Sequence, residues 1–103
     1  IVGCVALRPL PDVGRRACEA KRLYVRPEHR GARIAGVLMD ALEAHARAAG
    51  YDAVYLDSKD DLQTAIRFYR RRGYAEILRY NDNAQATIFM RLGLGERENN
   101  NKP

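Results

Sequence analysis

At 103 residues the chain has the length of one domain with a modest core. Its 47% hydrophobic and 30% charged residues are ordinary for a soluble globular protein, and no apolar run approaches the roughly 18 residues of a membrane span. A net charge of +5 raises nucleic-acid binding, but aromatic residues are not interleaved with the arginines as stacking on single strands requires. Cys4 and Cys18 are too few for a disulfide framework; they lie on strands that could pair, but read as small buried thiols in a reducing cytoplasm. No spacing of Cys, His and carboxylates resembles a metal site.

The chain opens Ile1-Val2-Gly3 without Met and already in a strand pattern, as a piece of a longer protein would. Residues 1–8 (IVGCVALR) read as a strand, and the breaker-rich Pro9–Gly14 as a turn. Residues 17–25 return antiparallel, ending before Pro27, which cannot donate to a sheet. A helix follows to Gly50, its apolar face Ile34, Val37, Leu38, Ala41, Leu42, Ala46 and Ala49, with Asp40, Glu43 and Arg47 opposite. The apolar strand 53–57 completes a βαβ unit, which makes strands 17–25 and 53–57 parallel. Asp60 and Gln63 have capping-box spacing ahead of a helix from about 61 to 72, with Leu62, Ala65, Ile66 and Tyr69 inward and Gly73 as its stop. Residues 74–80 and 86–92 read as final strands around the turn cluster Asn81-Asp82-Asn83. Residues 96–103 contain no apolar side chain and are expected to form a disordered tail after a single domain over 1–95.

Ligands on βαβ units bind beyond the carboxyl ends of the strands, where His29-Arg30-Gly31-Ala32-Arg33-Ile34-Ala35-Gly36 lies. Free N–H groups at a helix start, with Arg30 and Arg33 beside them, make a cradle for phosphate. The stretch has no Gly-Lys-Ser/Thr ending and no GxGxxG, so neither the nucleoside-triphosphate loop nor the dinucleotide fingerprint applies. It resembles the acyl-CoA loop of the GNAT N-acetyltransferase superfamily, Q/R-x-x-G-x-G/A, with Arg30 and Ala35 at the first and last positions and Arg33 in place of the middle glycine. Arg33 is then expected to need a tolerable φ and to turn its side chain away from the ligand or onto a phosphate. The segment Phe68-Tyr69-Arg70-Arg71-Arg72-Gly73-Tyr74 is similar to a second motif of the family, and the likeness spans roughly residues 1–92.

The resemblance implies an α/β protein, a mixed twisted sheet flanked by helices, that lacks the family's N-terminal elements. It implies acetyl-CoA as cosubstrate, without a metal, and an amine acceptor attacking directly in a ternary complex. Tyr69 takes the place of a general acid for the departing sulfur, and Glu19, on the strand leading to the loop, that of a general base. Glu19 otherwise reads as a solvent-facing strand residue paired with Lys21 or a neighbouring arginine, and Tyr69 as core packing. Backbone around Leu23, Tyr24 and Val25, where the family interrupts pairing with a bulge and a splay, would polarise the carbonyl. The pyrophosphate would rest on N–H groups from Arg30 to Gly36, while Arg70–Arg72 suit either a ribose phosphate or a plain charged helix end. His29 reads as loop-exposed and His45 as solvent-edged. A non-catalytic acyl-CoA-binding module of the same fold, or a basic nucleic-acid-binding domain, are the other readings. The last strands could pair between subunits as a homodimer.

Overall fold

The structure, a computed structural model, describes residues 2–31 and 33–94; Ala32 and the tail expected at 96–103 lie outside the described residues. Five strands form one mixed sheet in the order β1-β2-β3-β5-β4. They are β1 (Gly3–Pro9), β2 (Ala17–Val25), β3 (Ala53–Ser58), β4 (Ala75–Ile77) and β5 (Ile88–Gly93). Helix α1 (Ile34–Ala48) and helix α2 (Gln63–Arg71) occupy the two crossovers on either side of β3. β2 and β3 run parallel, as the βαβ reading requires, and every other pair is antiparallel.

The β1–β2 hairpin carries a bulge. Cys4 pairs with Tyr24 but Ala6 pairs with Lys21, so Val5 alone stands opposite Arg22 and Leu23. Arg22 adopts φ +60° to accommodate the extra residue. The bulge reverses the pleat: Cys18 and Ala20 face the core before it, Leu23 and Val25 after it. Both helices end as Schellman motifs at the expected glycines. Tyr51 N–H donates to Ala46 and Gly50 N–H to Arg47, while Tyr74 N–H donates to Tyr69 and Gly73 N–H to Arg70. Gly50 and Gly73 take φ +92° and +102°, which a side chain would oppose.

Several expectations need correction. On α1 the buried residues are Met39, Leu42, Glu43 and Ala46, whereas Val37, Ala41 and Ala49 are exposed. The stripe is rotated from the one the apolar residues suggest because Glu43 is neutralised from afar, by Arg72 and Tyr74. The start of α2 is no capping box. The Gln63 side chain donates to the Asp60 carbonyl, the Asp60 N–H donates instead to Thr87 Oγ1 at 2.8 Å, and Leu62 is half exposed. β4 stops at Ile77; residues 78–87 then cross the sheet face opposite α1, where the Tyr80 ring packs edge-on against Tyr55 and Phe89. Cys18 is buried as expected, but Cys4 is exposed, and both are free thiols. The core on the α1 face joins Cys18, Ala20, Met39, Leu42, Ala46, Val54, Leu56, Tyr74, Met90 and Leu94. Full burial of each large side chain in it contributes about 1.5–3 kcal/mol.

Candidate active site

β2 and β3 pair only from Ala17–Glu19 to Ala53–Tyr55, after which β3 continues beside β5 while β2 departs with β1. The two parallel strands therefore splay, and among the described residues the β3-facing backbone of residues 20–25 has no strand partner. A cleft of about 1010 Å³ lies beside the outer part of β2, walled by that strand end, the following loop, the first turn of α1 and one side of α2.

The structure brings most of the expected binding residues to this cleft. Leu23, Tyr24, Val25, Arg30, Gly31, Arg33, Ile34, Ala35 and Gly36 line it, and so does Tyr69. In the first turn of α1 the N–H groups of Ile34, Ala35 and Gly36 have no helical acceptor among the described residues, where the helical bonds begin with Val37 N–H donating to Arg33. With the positive end of the helix behind them, these donors suit an anion. Arg33 sits at the N-cap with φ +65° and ψ +17°, a left-handed conformation rather than one a side chain readily tolerates, and makes no side-chain cap bond. Arg30 folds back: its Nε donates to the Val25 carbonyl at 3.0 Å and its guanidinium lies 5.8 Å from the Tyr24 ring centre. Gly31 has φ +89° and open space around it, so ligand can approach the loop backbone.

Tyr69 is half-buried between the rings of Phe68 and Tyr74. Among the described residues nothing accepts a hydrogen bond from its hydroxyl, and no buried side-chain oxygen is left unpaired, so the hydroxyl keeps access to the cleft. Burial pushes its pKa up to about 12. The group is therefore a protonated phenol, a donor, throughout the neutral range.

Glu19 does not line the cleft. It is the last β2 residue paired with β3, and its side chain lies on the opposite face of the sheet, wholly buried. Arg8 Nε donates to its Oε1 at 2.8 Å, and the Tyr80 hydroxyl donates to Oε2 at 2.6 Å, with the Asn81 amide at 3.4 Å. Lys21 is a more distant partner at 3.8 Å, and also reaches Asp57 at 3.6 Å. The picture of a solvent-facing Glu19 is thus corrected: Tyr80 and Asn81, 61 and 62 positions away, cover it. The bond to Glu19 raises the Arg8 pKa, and burial together with Glu19 raises that of Tyr80.

The three arginines at the end of α2 separate. Arg71 lines the cleft, Arg70 pairs with Glu76 at 3.4 Å, and Arg72 turns inward to Glu43 and Asp40. Sequence reasoning missed much of the α2 wall, where Leu62, Gln63, Thr64, Ala65 and Phe68 join Tyr69. It also missed Val37, 64% exposed on the facing helix. The sequence offered no signal for it, since Val37 reads there as part of the apolar face of α1. Among the described residues no three His, Cys, Asp or Glu side chains converge to hold a metal ion.

A bulged β2, its splay from β3, and a helix N-terminus aimed at the opening constitute the acyl-CoA N-acyltransferase fold. The chain belongs to the acetyltransferase (GNAT) family, whose model matches residues 1–74. An uncharacterised N-acetyltransferase of Schizosaccharomyces pombe is 35% identical over 96 residues, 92% of this chain and 58% of the relative. A GNAT acetyltransferase structure from Staphylococcus aureus superposes with a TM-score of 0.83 at 24% identity, over 91% of this chain and 61% of that one. The PaiA N-acetyltransferase of Thermoplasma acidophilum, solved in complex with coenzyme A, gives a TM-score of 0.72 at 18% identity, over 89% and 53% of the two chains. This chain thus spans less than two thirds of these relatives' length.

Proposed function

We propose that the chain carries the cosubstrate half of an N-acetyltransferase that moves an acetyl group from acetyl-CoA to a primary amine by direct attack. The observation that carries this reading is the Tyr69 hydroxyl, without a hydrogen-bond partner among the described residues, on the wall of the cleft that the first turn of α1 also lines. The N–H groups of Ile34, Ala35 and Gly36, helped by Arg30 and Arg33, hold the pyrophosphate. The freed backbone of Leu23–Val25 polarises the thioester carbonyl. As the amine nitrogen bonds to the carbonyl carbon and the C–S bond breaks, Tyr69 gives its proton to the sulfur. Glu19 takes the proton lost by nitrogen, directly or through water, once Oε2 exchanges the Tyr80 hydroxyl for that donor. A lysine-like amine of pKa about 10.4 is neutral in only about one molecule in 2,500 at pH 7, so a base is worth having.

The complete burial of Glu19 beneath Tyr80 and Asn81 favours a second reading, a non-catalytic acyl-CoA-binding module. One comparison separates the two. Acetyl-CoA affinity is measured by calorimetry, and turnover over a panel of amines, for the wild type, Tyr69→Phe and Glu19→Gln. Turnover that falls more than tenfold with affinity intact supports the transferase. Indifference to both substitutions, with tight binding, supports the module.

A further inference from the structure

Tyr69 is clamped. Its ring lies edge-on to two others, Phe68 with ring centres 5.3 Å apart and Tyr74 at 5.7 Å. Both neighbours are tied to one buried ion pair. The Tyr74 hydroxyl donates to Glu43 Oε2 at 2.8 Å, and the Arg72 guanidinium lies 5.8 Å from the Phe68 ring centre. Arg72 in turn donates from Nη2 to Glu43 Oε1 at 2.7 Å and to Asp40 at 2.6 Å, and from Nε to Glu43 Oε2 at 3.3 Å. Glu43 is only 6% exposed, on a helix stripe otherwise made of Met39, Leu42 and Ala46. A leucine there would pack without the desolvation that a buried carboxylate suffers. What the carboxylate adds is direction, because hydrogen bonds fix angles that dispersion leaves loose.

We propose that Glu43, Arg72 and Tyr74 are positioning residues for the Tyr69 hydroxyl. They lock the two rings that hold the Tyr69 ring, and so keep its O–H aimed into the cleft where the thioester sulfur arrives. This rests on the reading of Tyr69 as proton donor. Arg72 accordingly serves the junction of α1 and α2, leaving Arg71 as the arginine of that run that lines the cleft. Small errors of aim matter, since a donor misdirected by tens of degrees loses most of its bond.

The test uses free CoA, whose thiol presents the sulfur to Tyr69 without any acceptor amine. Tyr69→Phe is expected to weaken CoA binding about fivefold in calorimetry, the loss of one hydrogen bond. Tyr74→Phe keeps the ring and removes its tether; it should weaken binding about two- to fivefold alone and have no further effect on top of Tyr69→Phe. Arg72→Lys should give the same pattern, and decides the matter if Tyr74→Phe melts below the assay temperature. With an acceptor amine, kcat should fall in these variants while the KM for acetyl-CoA holds. Should Tyr69→Phe bind CoA like the wild type, or the folded wild type bind none, the reading of Tyr69 fails and the inference with it. Should Tyr69→Phe weaken binding while Tyr74→Phe and Arg72→Lys are silent, or equally costly in both backgrounds, the inference alone is overturned.

Discussion

Arg33 offers the sharpest test of how backbone geometry governs the loop. It caps α1 at φ +65° with no side-chain bond in return. Holding a residue with a Cβ in the left-handed region costs about 1–2 kcal/mol. Replacement by glycine removes that strain but enlarges the entropy of the unfolded chain, which opposes it by about 0.4–1 kcal/mol. The net expectation for Arg33→Gly is a gain of about 0.5–1 kcal/mol, or an increase in Tm of about 2–8 °C for a domain this size. Arg33→Ala is the control. It removes the charge and keeps the Cβ, so the strain persists, and the glycine variant should exceed it by about 1 kcal/mol. Urea unfolding followed by circular dichroism measures all three chains. A glycine variant less stable than the alanine variant would refute the argument, because the left-handed backbone would then not be strained at this position.

Two further outcomes follow from buried groups. Glu43→Ala strands the buried Tyr74 hydroxyl and leaves Arg72 with Asp40 alone, so it should destabilise by about 3 kcal/mol in urea melts; a loss under 1 kcal/mol would mean that water enters to replace the carboxylate. Burial holds the Tyr69 phenol at a pKa of about 12, above the roughly 10 of an unfolded tyrosine, and shifts Tyr74 and Tyr80 the same way. The folded chain thus retains protons that the unfolded chain sheds. Stability from these groups is complete below pH 10 and falls as pH rises from 10 through 12, by up to about 1.4 kcal/mol per unit for each tyrosine. Thermal melts between pH 9 and 12 measure it, and Tyr69→Phe should flatten the slope; an unchanged slope would show that the Tyr69 phenol titrates at its ordinary value.

Local rules were legible in the sequence because they act over a few residues. Gly50 and Gly73 announced the helix ends, strand–helix–strand spacing announced the parallel pair, and the basic stretch after Pro27 announced the start of a helix. The environment of the charged groups was not legible. Glu43 lies among polar residues on a helical projection, yet it is buried because Arg72 and Tyr74, 29 and 31 positions later, arrive to satisfy it. Glu19 alternates like an exposed strand residue, yet Tyr80 covers it from 61 positions away. The bulge at Arg22 and Leu23, which turns Leu23 and Val25 toward the core, arises from pairing with β1. Burial of a charge depends on whether distant partners reach it, and only the assembled sheet and helices bring those partners within hydrogen-bond distance.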